Sequence, residues 1–178
     1  MDIRPATAAD APAIHGIYAW HVENGTGTFE ETPPSVEDFT ARMADVARHG
    51  LPWSVAEAGG IVLGYAYATP FRTRSAYRFT AEDSVYVAHD AARRGVGRAV
   101  LSHVVDACEA RGLRQLLAVI GGSDNAGSIG LHRALGFEHV GTTPALGWKQ
   151  GRWHDVVWMQ KALNGGAGSD PLGAGLPL

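Results

Sequence analysis

Apolar and polar positions alternate so as to divide the chain into short strands and amphipathic helices. Ile3-Arg4-Pro5 predicts a first strand, and Thr7-Ala8-Ala9-Asp10 a capped helix start with Asp10 in place of the usual Glu or Gln. Ile14, Ile17, Tyr18 and His21 then recur at helical spacing, as a face that packs on a sheet. Asn24-Gly25-Thr26-Gly27-Thr28-Phe29-Glu30 breaks the helix, and Phe29 on this irregular loop is either a substrate wall or plain loop packing. A second helix opens at Pro33-Pro34-Ser35, buries Val36, Phe39, Met43 and Val46, and stops at Gly50. Trp53 to Glu57 and Ile61 to Ala68, joined by Ala58-Gly59-Gly60, predict an antiparallel hairpin.

The second half follows a different rhythm. Thr69 to Phe79 is a basic, aromatic-bearing loop; Arg72 or Arg74 on it could clamp a carboxylate through bidentate donors, or be a solvated loop charge. It leads through Thr80-Ala81-Glu82-Asp83 into the strand Ser84-Val85-Tyr86-Val87, then into a tight basic turn, Arg93-Arg94-Gly95-Val96-Gly97-Arg98. Val96, Val100, Leu101, Val104, Val105 and Cys108 line one face of the following helix, which ends near Arg111-Gly112. Leu113 to Ile120 is the next apolar strand, so strand, helix and strand predict a parallel pair joined by a crossover. Asp124 or Asn125 caps a further helix carrying Ile129, Leu131 and Leu135, with Gly136 at its end. Phe137 to Gly141, and segments of Trp148 to Gln160 around Gln150-Gly151-Arg152, complete the strands. Residues 1–163 therefore read as one domain, and the Gly-rich stretch 164–178, without periodicity, as a disordered tail.

Composition narrows the function. A net charge of −3 argues against a nucleic-acid binder, which makes the Arg93, Arg94, Arg98 cluster a local feature: a phosphate cradle, or a solvated basic helix start. Cys108 is the one cysteine and sits on an apolar helix face, so it predicts packing and no disulfide. No charged-then-apolar leader follows Met1-Asp2-Ile3, no apolar run reaches bilayer length, and the histidines fall into no metal-ligand spacing. The expectation is a cytoplasmic protein that needs no metal, membrane or nucleic acid.

Glycine spacing then separates the phosphate-binding motifs. A dinucleotide fingerprint needs a third glycine where Val100 stands, and a Walker loop needs a Gly-Lys-Ser/Thr that is absent. The turn instead resembles the coenzyme A pyrophosphate loop of the GNAT acetyltransferases, Gln/Arg-x-x-Gly-x-Gly/Ala after a strand. Gly95 and Gly97 match it, and Ala92 stands where the family has Gln or Arg. Asn125-Ala126-x-Ser128-x-x-Leu131-His132-x-x-Leu135-Gly136-Phe137 is similar to the second signature of that family. Thr80-Ala81-Glu82-x-Ser84-Val85-Tyr86-Val87 and Gly147-x-Lys149-x-Gly151-x-Trp153-x-Asp155-Val156 resemble, more narrowly, its phosphinothricin and methionine sulfoximine branch.

The resemblance implies an α/β GNAT fold: a mixed, mostly antiparallel sheet, splayed at its centre by acetyl-CoA and flanked by helices. It implies a coenzyme site at Val85, Tyr86, Val87, Arg93, Arg94, Gly95, Val96, Gly97, Arg98, Asn125 and Ser128. A backbone N–H of Tyr86-Val87 would hold the oxyanion. Phe29, Arg74 and Tyr77 would face the acceptor, with Arg74 on its α-carboxylate, and Lys149 to Val156 would lie near a homodimer contact and the substrate pocket, unless Trp148, Trp153 and Trp158 there simply pack within the chain.

Catalytic candidates follow from the chemistry. An amine at neutral pH is mostly ammonium, so a carboxylate or water chain must take a proton before it attacks a thioester. Glu82, at the head of the strand that meets the coenzyme, is the candidate base, and Asp83 should point to the other face. His132 stands where many members place a tyrosine that protonates the departing thiolate; it could act as acid or hydrogen-bond the coenzyme. The expected reaction is acetylation of the α-amine of a small amino acid such as phosphinothricin, methionine sulfoximine or methionine sulfone. Another small amine, a protein N-terminus, or a non-catalytic acetyl-CoA sensor are the alternatives.

Overall fold

The computed structural model describes residues 1–178. Seven strands form one sheet: β1 (Asp2–Pro5), β2 (Trp53–Ala58), β3 (Ile61–Pro70), β4 (Thr80–Val87), β5 (Gln115–Gly121), β6 (Glu138–Lys149) and β7 (Arg152–Ala162), in spatial order β1-β2-β3-β4-β5-β7-β6. Four helices cover it: α1 (Ala11–Asn24), α2 (Val36–Arg48), α3 (Val96–Ala110) and α4 (Ala126–Ala134). The hairpin predicted over 53–68 is the β2–β3 pair, and the crossover through α3 joins β4 and β5, the sheet's parallel pair.

Local chemistry sets the helix boundaries. The Asp10 carboxylate accepts from the Thr7 N–H (2.7 Å) and receives the Arg4 guanidinium, so a 3₁₀ turn over Ala8–Asp10 precedes α1. Ser35 caps α2 by accepting from the Asp38 N–H at 3.1 Å. The core lies on both faces of the sheet. Tyr18, Phe39 and Tyr65 fill the α1/α2 side, while Val100, Leu101, Val104 and Cys108 of α3 fill the other. Cys108 is fully buried, its thiol pushed up to about 12 by that burial, in keeping with a packing role.

Three regions differ from expectation. Strand β6 continues through 142–147 with register shifts between Thr143 and Gly147, around Pro144 and a left-handed Ala145 (φ 51°), an irregularity that hides the strand from a periodicity test. Trp148 and Trp153 were expected to pack, yet they are 54% and 61% exposed, edge to face across the β6–β7 hairpin beside exposed Leu146. The tail after Leu163, expected to be disordered, folds back: Leu176 is buried, and its N–H donates to the Arg78 carbonyl. Arg114 donates to the carbonyls of Gly166 (2.9 Å), Ser169 (2.7 Å) and Asp170 (3.3 Å). One distant guanidinium collecting backbone carbonyls leaves no trace in the tail's own composition.

Candidate active site

The sheet forks at its centre. β4 and β5 pair from Thr80–Gln115 to Asp83–Ala118; beyond that, Ser84–Val87 pair with β3 alone and Val119–Gly121 with β7 alone. The Ala88 N–H donates to the Leu63 carbonyl (2.9 Å), so alternation along β4 turns the N–H groups of Val85 and Val87 toward the open fork. Tyr86, by the same alternation, spends its N–H on β3, which leaves Val85 and Val87 as the backbone donors of the expected Val85 to Val87 set. The Val87 carbonyl is taken by the Nε2–H of His21 at 2.8 Å. Burial holds the His21 pKa below its ordinary value, which keeps it a neutral donor there.

A cleft of about 800 Å³ opens along this fork. Its far wall is the basic turn, where Arg93 (φ 60°) and Gly95 (φ 81°) adopt left-handed conformations that swing the chain into α3. The first intrahelical bond runs from the Ala99 N–H to the Gly95 carbonyl, so the N–H groups of Val96, Gly97 and Arg98 have no helical partner. Those three residues line the cleft with Arg93 and Gly95, a ready seat for a pyrophosphate. Val85 and Val87 pack their side chains against Gly97. Exposed Arg94, expected among them, is not on the cleft wall. Across the cleft, the Asn125 side chain caps α4 by accepting from the Ser128 N–H (3.2 Å), and Asn125 and Ser128 both face the opening.

Two adjacent carboxylates stand where the strands part. Asp83 lies on the α3/α4 face, 5% exposed, with Oδ1 at 2.9 Å from His132 Nε2. His132 is 2% exposed, and its Nδ1–H donates to the Ser128 carbonyl at 2.8 Å. Burial opposes the charged imidazolium, but the hydrogen bond and charge of Asp83 outweigh it and the His132 pKa rises. Glu82 lies on the α1/α2 face, paired in register with Thr69 and Leu117. Burial raises its pKa and the Asp83 charge adds to that, while the Arg72 guanidinium pulls the other way.

None of the expected acceptor residues lines the cleft itself. The Arg72 guanidinium stacks 4.3 Å from the centre of the Phe71 ring, which Tyr77 meets edge-on at 5.6 Å. Arg74, the residue favoured by resemblance, is exposed, and its side chain makes no hydrogen bond or ion pair. Phe29 belongs to a tightly held loop. A Cβ at Gly147 would lie 2.2 Å from Phe29 Cε2, so only glycine leaves room for that ring against β6. The buried Lys149 ammonium donates to the Thr28 carbonyl (2.8 Å), the Tyr18 hydroxyl bonds Thr28 Oγ1 (2.8 Å), and Arg42 pairs with Glu30 (2.8 Å).

Sequence reasoning missed Trp20 and His89, stacked at 5.1 Å on the cleft rim, and the anchoring role of Lys149 and His21. Helical spacing had put His21 on a sheet-packing face, and it does touch the sheet, through a backbone atom that no side-chain pattern can reveal.

Comparison with known proteins agrees with this arrangement. The model for the acetyltransferase (GNAT) domain matches residues 3–158. The chain is 52% identical over 164 residues to a phosphinothricin N-acetyltransferase of Alcaligenes faecalis, covering 92% of this chain and 83% of that protein. It is 43% identical over 163 residues to an L-methionine sulfoximine/L-methionine sulfone acetyltransferase of Pseudomonas aeruginosa, covering 91% and 94%. The crystal structure of a phosphinothricin acetyltransferase from Sinorhizobium meliloti in complex with AcCoA superposes with a TM-score of 0.93 at 46% identity, covering 96% of this chain and 92% of that one.

Proposed function

Because the chain belongs to the GNAT acetyltransferase family, we propose that it moves the acetyl group of acetyl-CoA to the α-amine of a small amino acid of the phosphinothricin, methionine sulfoximine or methionine sulfone type. The observation that carries this reading is the fork in the sheet, with a pyrophosphate seat at its mouth and, where the strands part, Asp83 on the cleft wall and Glu82 beside it on the opposite face. Val96, Gly97 and Arg98 N–H groups and the Arg93 and Arg98 guanidiniums would bind the pyrophosphate. Val85 and Val87, left without a strand partner on the fork side, would pair with the amide-bearing arm of the coenzyme as a further strand does.

The chain's residues then divide the proton traffic. Glu82 takes a proton from the acceptor ammonium, directly or through water, and frees the lone pair that forms the C–N bond. Backbone N–H of β4 stabilises the oxyanion as charge develops. As the C–S bond breaks and its electron pair passes to sulfur, His132 supplies the proton that makes the free thiol. Arg72, on Glu82's side of the sheet, replaces Arg74 as the clamp on the acceptor carboxylate, with Phe71 and Tyr77 as its apolar flank. Phe29 closes the opposite side of the acceptor pocket. We further infer a homodimer, supported by the exposed Leu146, Trp148 and Trp153 cluster on the β6–β7 hairpin, and a cytoplasmic location.

Thiol release from acetyl-CoA tests the assignment against phosphinothricin, methionine sulfoximine, methionine sulfone, common amino acids, amines without a carboxylate, and short peptides. Selective turnover of the first three is the expected result. Turnover of peptides or plain amines instead would overturn the acceptor class, and acetyl-CoA binding with no turnover would favour a sensor.

A further inference from the structure

The Asp83–His132 pair is more than the single proton donor required above. A carbonyl can only accept, so the 2.8 Å contact to the Ser128 carbonyl fixes a hydrogen on His132 Nδ1. One further proton lies between Nε2 and Asp83 Oδ1, 2.9 Å apart. The pair is thus neutral as a unit, whether written as imidazolium and carboxylate or as imidazole and carboxylic acid. Both members border the coenzyme cleft, as does Ser128, whose hydroxyl oxygen is 3.3 Å from Nδ1.

A purely structural ion pair is a poor explanation of this arrangement. Two groups 5% and 2% exposed lose their hydration, and a buried ion pair repays that loss only when its remaining lone pairs are satisfied. Here Asp83 Oδ2 is buried without any hydrogen-bond partner. An apolar pair would hold α4 on β4 as well.

We propose that Asp83 is a positioning residue for acetyl transfer: it keeps His132 protonated on both nitrogens, so that the pair delivers one proton to the coenzyme sulfur through the Ser128 hydroxyl. The proposal rests on the reading of His132 as the acid. As the amine forms the C–N bond and the C–S bond breaks, sulfur takes the hydroxyl hydrogen of Ser128, which takes the Nδ1 hydrogen. His132 is left as neutral imidazole donating Nε2–H to the Asp83 carboxylate. The nitrogen gives up its second proton to water as the intermediate collapses to the amide; solvent then returns one proton to His132 and removes the first from Glu82, so that one proton is released per turnover. The other titratable and charged groups around the pair are Glu82, the chain neighbour on the opposite face, the buried Cys108 thiol of α3, Arg98 on the cleft wall, and Lys161 of β7 near the end of α4 at Gly136. β5 presents only Ala118 and its apolar neighbours to this part of the cleft.

The experiment compares Asp83→Asn and His132→Gln with two acyl donors, acetyl-CoA and S-acetyl-4-nitrothiophenol, whose acidic thiol leaves without protonation. Asparagine keeps the shape but donates to Nε2, which freezes His132 as the neutral Nδ1–H tautomer. For Asp83→Asn we expect a roughly 10–100-fold loss of kcat with acetyl-CoA, little change in either KM, and near wild-type rates relative to the parent with the activated donor. Equal loss with both donors, or none, would overturn the role of Asp83. A selective loss in His132→Gln without one in Asp83→Asn overturns Asp83 alone, whereas no loss in His132→Gln overturns the acid assignment beneath it. ¹⁵N NMR of wild-type enzyme is a check that does not depend on folding of a variant. A His132 ring protonated on both nitrogens at neutral pH is expected, and a singly protonated ring there would also sink the proposal.

Discussion

The two faces of β4 are built in different ways. On the α3/α4 face, Asp83, Val85 and Val87 meet the turn that follows them directly in the chain and the helix that begins at Asn125. On the α1/α2 face, Glu82 and Tyr86 share space with Tyr18, Tyr65 and Tyr67, and the surrounding wall draws on α1, the loop at 25–31, the Arg72 loop and the β6–β7 hairpin. The coenzyme face is therefore local and repeated by a short motif. The proposed acceptor face is assembled from distant segments, so its wall should be separable from coenzyme binding. Carboxylates one residue apart fall into these two settings: Asp83 buried and paired, Glu82 half-buried and opposed only by Arg72.

The largest expected effect comes from removing the acceptor-face carboxylate. Glu82→Gln should lower kcat by roughly 10²–10³-fold while leaving acetyl-CoA affinity intact, measured by steady-state kinetics and equilibrium titration. In the wild type, the raised pKa of Glu82 puts the acid limb of kcat/KM above the ordinary glutamate range, since only the ionised form accepts a proton. A full rate in the variant across pH would break the division between the faces at its centre.

Next is the packing of the acceptor wall. Gly147→Ala places a methyl where Phe29 now lies, 2.2 Å from Cε2, so the ring and its loop must move. We expect the acceptor KM to rise about 10–50-fold, with a stability loss of about 1–3 kcal/mol, and the KM for acetyl-CoA to stay put. A matching rise for acetyl-CoA would mean the two faces are mechanically coupled.

This division also explains what the sequence makes legible. The strand, basic glycine turn and helix at 84–101 lie within one stretch whose residue types each have a local reason, and Asn125 announces its helix as a cap. The parallel β4–β5 pair follows from the same local order. Lys149 holding Thr28, 121 residues away, and Arg114 gathering the tail depend on tertiary proximity that hydrophobic periodicity does not encode. The choice between Arg72 and Arg74 is of this kind too. Both sit on one loop with the same chemistry, and only the folded loop sets Arg72 near Glu82.

That choice gives a smaller, selective effect. Arg72→Ala should raise KM for carboxylate-bearing acceptors about tenfold, equivalent to about 1.4 kcal/mol, and leave plain amines unaffected, whereas Arg74→Ala should change neither. Removing Arg72 also removes the positive charge that pulls the Glu82 pKa down, so the acid limb of its pH profile should move up. The reverse pattern between the two arginines would restore Arg74 as the clamp.

The smallest effect sets the two neighbouring carboxylates against each other through stability. Burial raises the Glu82 pKa above its unfolded value, so between those two values the native state binds more protons and stability falls as pH rises. Above the native pKa the penalty for the buried charge is complete; below the unfolded value, roughly 4, it is absent. Glu82→Gln should therefore raise the thermal midpoint slightly at pH 8 and lose that advantage near pH 4. Asp83→Asn should lower the midpoint at pH 7, because it withdraws the charge and acceptor that hold the imidazolium of His132. Thermal melts of both variants across that pH range measure the contrast. Opposite signs at neighbouring positions are expected because Glu82 carries its half-buried charge with no hydrogen-bonded partner, whereas Asp83 holds the proton of His132. A stabilising Asp83→Asn would show instead that the buried pair, too, is kept at the expense of stability.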